Sequence, residues 1–476
     1  WADSATENGN WFSLSQGSFA DDFEASLLFA ASEWGVRHYK FDMGGFRNRP
    51  RGSTLPREVI YRRSVDRFVA AVRKLRAEYP DVIAISHTGF GRNPSDVPLG
   101  SEDPFGTDPA FLEVIDGVFS GDPHMYDVPQ TSLVRSVDMF QDRQVWKLHR
   151  EGFALDRIED HGVIVGETNT CHYRGRAGFP RSYVTHLSHG GRREFLYGDL
   201  SLLGEDDADV VQRGRRVFLD AWNRGLETRI VGTGEPGSVP WHGYLTGGSG
   251  RGLLYLSNTS WTGQVIDVTV PNIAGAKVLF FDGDDTPVVQ LHPDSVRVQL
   301  APERMVLVGL GEYATEEYDI GCDAGESSPL ALRLLPVQFR STRDGLAGSV
   351  PFDSVDGAEL MVVVRVFSAD PGRIQIVPAH RVRLPREEQR RRRGSDPDVY
   401  ELVDVQVLEG DEPLPPIHQV PDVRVWSGVS WILRCFRASG PCRISVTSRL
   451  DYDVRLEAAA YAVRMSPPRQ TMRGDT

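Results

Sequence analysis

The amino-acid sequence predicts a mixed fold, in which an α/β region of parallel strands and helices is followed by antiparallel β-domains. Up to about residue 228, short apolar runs alternate with amphipathic segments of helical spacing, which is the pattern of a parallel sheet. From about 229 onward, short apolar runs are separated by turn residues such as Asp282-Gly283-Asp284, which is typical of antiparallel β-sandwiches. We therefore predict an α/β region over 1–228, a β-sandwich over 229–315 and a further β-rich domain over 316–476.

Helices and strands alternate throughout the predicted α/β region. Its predicted helices cover 23–34, 58–79, 109–114, 130–146 and 208–223; its predicted strands cover 36–42, 82–86, 117–120, 162–166 and, more weakly, 193–197. The run over 36–42 reads as a short buried strand that ends before the glycine pair Gly44-Gly45. Five strands of this kind fit the C-terminal part of a β/α barrel or a doubly wound sheet, and the pattern alone leaves both open.

Two β-domains are predicted after the α/β region. Seven short runs between 243 and 310 form the first, and longer runs between 360 and 463 form the second. The second contains a charged loop at 384–399 and ends in a tail after Ser466 that is predicted to be disordered. Cys435 and Cys442 flank a short turn that would place their thiols opposite each other. A disulfide and two free thiols both remain open at this point.

Composition and charge exclude several classes of function. The chain has 476 residues and a formal net charge of -13, so it lacks the basic surface that nucleic-acid binding as a main role requires. No apolar run approaches the roughly 20 residues of a membrane span, and no spacing of Cys and His residues is that of a metal site. We therefore expect neither a membrane span nor a cofactor. The sequence does not decide between a cytoplasmic and a secreted location and leaves self-association open. Its start at Trp1 indicates a processed or truncated product.

Polar residues collect where the predicted parallel strands end. The first strand delivers Lys40 and Asp42, and the next ones end at 86–89, 120–122 and 167–169. Chemistry in parallel α/β folds sits at these C-terminal strand ends. Asp42 and Asp122 are the two carboxylates that a retaining glycoside hydrolase needs, at a separation of about 5–5.5 Å. Lys40 shares a strand face with Asp42; the alternative is that the two form an ion pair without a catalytic role.

The segment 34–43, Trp-Gly-Val-Arg-His-Tyr-Lys-Phe-Asp-Met, resembles the nucleophile-strand motif of the α-galactosidase clan. The resemblance is greatest to the family 36 glycoside hydrolases and the related raffinose-synthase-like proteins. Residues 86–92 stand where the family has a Ser-Gly-Gly-Gly-Arg-like loop, and Ser120-Gly121-Asp122 stands where it has Ser-Asp. The resemblance extends from residue 12 to about 310 and is specific at 34–43.

The resemblance implies a retaining α-galactosidase-like enzyme that cleaves terminal α-linked sugars and needs no metal. Asp42 would be the nucleophile and Asp122 the acid/base, with Asp127 as a competitor because Gly121 adjoins Asp122. The family's barrel has eight strands with the nucleophile after the fourth, so the first strands would be absent here. Residues expected to contact the oligosaccharide or glycoside are Lys40, His87, Glu167 and Arg135. Two alternatives remain: a non-catalytic carbohydrate-binding or scaffold protein with a decayed barrel, and a transglycosylase of the raffinose-synthase type.

Overall fold

A computed structural model of the chain forms two compact units. It describes residues 2–7, 9, 12–41, 46, 48–87, 109–120, 137–150, 152–160, 162–165, 178–236, 239–283, 286–323, 330–353, 357–368, 402–419, 424–425, 429–450 and 454–465. The first unit comprises Trp1–Gly121 and Lys147–His161, and the second comprises Asp122–Trp146 and Gly162–Thr476. In the described ranges, no helix has both the length and the apolar character that crossing a membrane requires. The domain boundaries near 228 and 315 remain predictions.

The first unit alternates helices with short parallel strands, as its sequence predicts. Its elements are α1 Phe19–Glu33, β1 His38–Phe41, α2 Arg57–Glu78, β2 Ile83–His87, a 3-10 helix Pro109–Glu113, β3 Gly117–Phe119, the end of α3 Val137–Arg150, a 3-10 helix Leu155–Arg157 and β4 Ile158–Glu159. The strands pair in the order β1-β2-β3-β4, and all three pairings are parallel. The residues of α3 up to Trp146 belong to the second unit.

Helices α1 and α2 cover one face of this sheet. The apolar spacing that predicts α2 is confirmed, because Val65, Phe68, Val69, Val72 and Leu75 are all buried. The ring of Phe41 on β1 packs edge-on against Phe68, with 4.8 Å between ring centroids. Tyr39 points to the same side and donates a hydrogen bond from its hydroxyl to the carbonyl of Leu27, at 3.0 Å. The aromatic residues of β1 therefore anchor it to the helices.

The prediction that β1 is a buried strand is wrong. His38 and Lys40 are exposed, and Tyr39 and Phe41 are half-buried. The reason is that β1 lies at the end of the sheet order and directs His38 and Lys40 away from the helices. The described strands of this unit form a four-stranded sheet and not a closed barrel, so the mixed α/β class is observed while the barrel is not.

The second unit continues the α/β pattern before it becomes purely β. It contains β5 Val163–Val165, α4 Phe179–Ser188, β6 Leu196–Gly198, a 3-10 helix Leu200–Leu202 and α5 Glu205–Asn223. Strands β5 and β6 pair in parallel as a separate two-stranded sheet. Every residue of α4 is buried. Helix α5 approaches it closely at Gly214, where a Cβ would lie only 3.1 Å from Cε1 of Tyr183.

A first β-sandwich follows α5. Its strands are β7 Thr228–Val231, β8 Trp241–Gly248, β9 Arg251–Asn258, β10 Gln264–Thr269, β11 Ala276–Asp282, β12 Val288–His292, β13 Ser295–Leu300, β14 Met305–Leu310 and β15 Gly321–Asp323. Six of them form a sheet in the order β15-β11-β14-β9-β8-β7, and three form a sheet in the order β10-β13-β12. Their inward-facing Leu, Val and Ile side chains make one buried core. The predicted antiparallel sandwich is thus observed.

A second sandwich contains the remaining strands. They are β16 Leu330–Leu334, β17 Arg340–Thr342, β18 Gly345–Val350, β19 Glu359–Ser368, β20 Val403–Glu409, β21 Glu412–Leu414, β22 Pro416–Gln419, β23 Arg424–Val425, β24 Val429–Phe436, β25 Cys442–Ser448 and β26 Val454–Met465. One sheet has the order β16-β26-β19-β24-β22, with β23 beside β24, and the other has the order β17-β18-β25-β20-β21. A second apolar core lies between them. The predicted tail after Ser466 lies outside the described residues.

The turn between Cys435 and Cys442 does not join neighbouring strands. It carries the chain from β24 in one sheet of the second sandwich to β25 in the other. Both thiols are free and buried. Burial is the main reason that the pKa of each thiol is raised to about 11. The free-thiol alternative is therefore the one observed.

Candidate active site

The C-terminal ends of β1–β4 meet at one edge of the first unit's sheet, which we call the rim. The strand register aligns Lys40 with Ile85 and Gly117, and one row further it aligns Phe41 with Ser86 and Val118. In the last described row, His87 pairs with Phe119 and Phe119 pairs with Glu159. Laterally paired residues of parallel strands point to the same face of the sheet, so this register determines which side chains share the rim.

Three described side chains share the face of the rim that lies away from α1 and α2. They are Lys40, Phe119 and Glu159, which belong to β1, β3 and β4. Nζ of the exposed Lys40 lies 4.0 Å from the centroid of the Phe119 ring, a cation–π contact. Glu159 is buried, and its backbone carbonyl accepts a hydrogen bond from the amide of Ser120 at 2.7 Å. This face therefore combines a cation, an aromatic ring and a carboxylate.

Further polar groups line the strand ends. Ser86, Ser120 and Asp160 are all buried. Within the described part of the chain, the hydroxyls of Ser86 and Ser120 have no hydrogen-bond partner. Buried hydroxyls normally have one. Ser86 pairs with Phe41, and Ser120 follows Phe119, so strand alternation directs both hydroxyls to the side of α1 and α2, opposite the face of Lys40.

The sequence-predicted site residues fall into two groups. Lys40 lies at the rim, on the face that its strand alternation predicts, and the backbone of His87 ends β2 beside Phe119. The remaining predicted residues lie outside the described residues: Asp42, Asp122, Asp127, Arg135 and Glu167. The separation of the two proposed catalytic carboxylates is consequently untested, and their roles stay predictions.

Sequence reasoning missed the carboxylates at the end of β4. Glu159 and Asp160 follow a strand of only two residues, which comes directly after a 3-10 helix. Such a strand has no apolar run and no readable alternation. The signal that could have found it is the fold pattern itself: after α3, a parallel β/α arrangement requires another strand, and 151–161 is the segment in which to look for it.

The second unit holds a cluster of polar side chains around Asp142, all of them almost completely buried. Oδ1 of Asp142 lies 2.9 Å from Nε2 of His189 and accepts a hydrogen bond from the hydroxyl of Tyr244 at 3.1 Å. Oδ2 lies 2.8 Å from Nε2 of His242. Asp142 comes from α3, His189 follows α4, and His242 and Tyr244 are on β8. We call these four residues the Asp142 cluster; it links two helices to the first sandwich.

The environment of Asp142 keeps its carboxylate ionised. Burial alone works against ionisation, but the charge of His242 at 2.8 Å and the hydrogen bond from the His189 imidazole outweigh it, so the pKa of Asp142 lies well below its usual range. A carboxylate enclosed in this way is a poor candidate for proton transfer to a substrate. We therefore assign the Asp142 cluster a structural role.

Two buried ion pairs accompany the Asp142 cluster in the second unit. Nε and Nη2 of Arg143 lie 3.0 and 2.6 Å from Oε1 of Glu235. Arg181 on α4 forms an ion pair with Asp282 on β11, and Asp282 also accepts a hydrogen bond from the amide of Met305. Both arginine side chains are almost completely buried. These contacts join α3 and α4 to loops and strands of the first sandwich.

The chain matches no protein-family model and no curated protein sequence. Among solved structures, it is similar to a variant of the GH36 α-galactosidase AgaA from Geobacillus stearothermophilus in complex with 1-deoxygalactonojirimycin, with 11% identity, coverage of 65% of this chain and 42% of that chain, and a TM-score of 0.42. The GH36 α-galactosidase AgaB from the same organism gives 10% identity, 63% and 39% coverage and a TM-score of 0.41. A debranching enzyme from Nostoc punctiforme, soaked with acarbose, gives 11% identity, 63% and 65% coverage and a TM-score of 0.37.

The similarity to the α-galactosidases spans about two-fifths of their length. Identities near 11% with TM-scores below 0.5 are too low to carry an activity, or the role of any residue, to this chain.

Proposed function

We propose that this chain is the catalytic part of a retaining glycoside hydrolase that cleaves terminal α-linked sugars, with α-galactosides as the first substrates to test. The observation that supports it most directly is the position of Lys40. This residue is the last but one of β1, on the rim of a parallel sheet, and the motif over 34–43 continues from it to Asp42. Catalytic groups of parallel α/β folds lie at such strand ends.

The proposed mechanism is a double displacement. The Asp42 carboxylate attacks the anomeric carbon while Asp122, in its protonated form, gives its proton to the departing oxygen, and a covalent glycosyl-enzyme forms. Asp122 then takes a proton from water, and the water oxygen displaces Asp42 from the anomeric carbon. Asp127 is the second candidate for the acid/base role. His87, Glu167 and Arg135 are proposed to contact the sugar.

Lys40 and Glu159 have supporting roles in this proposal. A lysine ammonium near a carboxylate favours the ionised form, which is the nucleophilic one. Phe119 limits where the Lys40 ammonium can lie, since the two are in contact at 4.0 Å. Glu159 shares their face of the sheet and adds an acceptor for a sugar hydroxyl. The side chains on this face would therefore bind the sugar next to the nucleophile.

The test is hydrolysis of a panel of aryl α-glycosides by the chain and its variants. Asp42→Ala should abolish turnover, whereas Asp66→Ala, on the exposed surface of α2, should leave it unchanged. Sodium azide added to Asp42→Gly should restore aryl release and give a β-glycosyl azide, because the small anion replaces the missing nucleophile on the same face of the sugar. Full activity of Asp42→Ala would remove Asp42 from the mechanism.

A second candidate function is non-catalytic carbohydrate binding. It is favoured by Gly121, which stands where the resembling family has a different residue beside the acid. Sugar binding by the folded chain without cleavage of any panel member would support it. A transglycosylase would instead release the aryl group and transfer the glycosyl unit to an added sugar acceptor, which product analysis by mass spectrometry distinguishes from hydrolysis.

A further inference from the structure

The second sandwich carries a cleft of about 1170 Å³ that is separate from the rim. One wall is the segment from Leu334 to Gln338, which connects β16 to β17, and another contains Trp261 of the first sandwich. Strands β17, β18 and β25 supply the floor. A cleft of this volume accommodates a ligand of several rings.

The strand register places the polar floor residues on one outward face. Arg340 pairs with Ala347, which pairs with Ser445, and two rows further Ser349 pairs with Arg443, so these residues point to the same face. Residues that alternate with these, such as Leu346 and Val446, are buried in the core. Arg340 and Arg443 therefore lie on the same surface. Strand β18 separates their two strands, so the lateral distance between the backbones of those strands is roughly 10 Å.

The charges in the cleft have a single sign. Arg340 and Arg443 line it, and no Asp or Glu is among the described residues that do so, although the chain as a whole carries a net charge of -13. Arg340 makes no ion pair with any residue that the structure describes. Arg443 lies 2.7 Å from Asp411, but that carboxylate is fully exposed, and exposed pairs of this kind contribute little and exchange readily. Nη2 of Arg443 also donates to the carbonyl of Gly410 at 2.7 Å, so Arg443 binds an anion through its remaining N–H groups, and Arg340 through its whole guanidinium.

An aromatic ring of fixed orientation lines the cleft from the side of the other sheet, where Tyr461 of β26 and Arg365 of β19 hold it. Trp261 donates a hydrogen bond from Nε1 to the hydroxyl of Tyr461 at 2.8 Å, and Cζ of Arg365 lies 4.4 Å from its ring centroid. The hydroxyl of Tyr461 in turn donates to Glu303 at 2.5 Å. These contacts hold the indole in place before any ligand arrives, which lowers the entropic cost of stacking a ring against it.

We propose that this cleft is a binding site for an anionic oligosaccharide, a sugar chain whose carboxylates pair with Arg340 and Arg443 while a sugar ring packs on Trp261. The serine hydroxyls and the Gln338 amide in the lining supply hydrogen bonds of the kind that sugar hydroxyls accept and donate. Arginine binds carboxylates through two parallel hydrogen bonds, which gives the site its preference for a charged chain. The site is independent of hydrolysis at the rim.

Isothermal titration of the full chain with hexameric oligogalacturonate tests the proposal, with the methyl-esterified hexamer and a neutral malto-oligosaccharide as matched ligands. The wild type and the Asp42→Ala variant should bind the unesterified hexamer equally. Arg340→Ala and Arg443→Ala should each weaken binding about tenfold, and the double variant should abolish it. Arg213→Ala, an exposed arginine of α5, is the control and should bind as the wild type does.

Any of four results would overturn the proposal. The first two are failure of the unesterified hexamer to bind the wild type and equally tight binding of the esterified hexamer. The other two are full affinity in the double variant and tighter binding of polyglutamate than of the hexamer. The last would identify an acidic-peptide site instead. Because the arginines are exposed, an unchanged thermal unfolding midpoint in the double variant separates lost binding from lost folding. Activity at the rim should be unaffected in all four arginine variants.

Discussion

The two units use the same kinds of charged side chain in different surroundings. At the rim of the first unit, Lys40 is exposed, and its ammonium lies over the face of the Phe119 ring. In the second unit, Asp142 is enclosed by two imidazoles and a tyrosine hydroxyl within about 3 Å. The comparison teaches that a charge is available for chemistry when its surroundings leave it accessible, and that it becomes part of the scaffold when burial and partners fix it.

The largest effect on stability is expected at the Asp142 cluster. Asp142→Asn should lower the free energy of unfolding of the second unit by about 3–5 kcal/mol, because it removes the charge that His189 and His242 surround. Asp209→Asn, at an exposed position of α5, should change it by less than about 0.5 kcal/mol. Urea unfolding monitored by circular dichroism measures both. Equal stability of the two variants would show that the Asp142 cluster is not part of the scaffold.

The same aspartate makes stability depend on pH. Its pKa is lowered on folding, so its contribution is complete above the unfolded value of about 3.9 and is lost as the pH falls toward the folded pKa. The free energy of unfolding should therefore decrease more steeply between pH 5 and pH 3 in the wild type than in Asp142→Asn. The difference between the two slopes should correspond to the uptake of about one proton on unfolding. Identical slopes would mean that the carboxylate does not titrate abnormally.

A buried ion pair should show the next largest effect. Arg181→Met leaves Asp282 buried without its cationic partner, and we expect a loss of about 3 kcal/mol in the free energy of unfolding. Arg181→Met combined with Asp282→Leu should recover part of this loss, because no uncompensated charge remains. A double-mutant cycle measured by chemical denaturation gives the coupling. Additive losses would indicate that the two side chains act independently.

On the rim, a carboxylate substitution should affect turnover more than stability. We expect Glu159→Gln to lower kcat/KM for the best panel glycoside by roughly 10- to 100-fold, about 1.4–2.7 kcal/mol of transition-state stabilisation. Because Glu159 is buried, as Asp142 is, its unfolding midpoint should also fall, but by less than in Asp142→Asn, whose carboxylate lies between two imidazoles. A destabilised but fully active Glu159→Gln enzyme would place Glu159 with the scaffold residues.

The smallest effect is expected for an exposed ion pair of the first unit. Arg73 and Glu113 lie 2.7 Å apart, and more than half of each side chain is exposed. Arg73→Ala should change the free energy of unfolding by less than about 1 kcal/mol, and high salt should remove even that difference. Denaturation at low and high ionic strength tests this prediction. A loss of unfolding free energy as large as that expected for Arg181→Met would contradict the inference that buried ion pairs contribute more to stability than exposed ones.

Local patterns in the sequence predict much of the fold but little of its pairing. The apolar spacing of α2 and the alternation of β1 predict these elements within one or two residues, because both depend on neighbours in the chain. Burial of β1 is not predictable in this way, since it depends on which strand pairs beyond it. The pairing of β26 with both β16 and β19 is equally non-local, because it joins residues more than 85 positions apart.

The candidate site shows the same limit. The position of Lys40 near the C-terminal end of β1 is readable from one short motif, while its predicted role beside Asp42 stays a prediction. The Asp142 cluster escaped prediction because its members stand at 142, 189, 242 and 244, and no local spacing connects them. Glu159 escaped because its strand has two residues. The position of a residue within a single strand is readable from sequence, whereas a cluster assembled from several elements requires the fold.

The reactivity of the two free thiols of the second sandwich can report on how this domain opens. With a pKa near 11, Cys435 and Cys442 are thiolates to about one part in ten thousand at neutral pH, and both are buried. Cys442 lies in the core between the two sheets, so an alkylating reagent can modify it at an appreciable rate only when the sheets separate, while the exposed Cys322 reacts from the closed state. Cys435 lies beside Met361 on the outer face of its sheet, so its labelling would report loss of the packing on that outer face, and the order in which the two become labelled would distinguish that event from opening of the core.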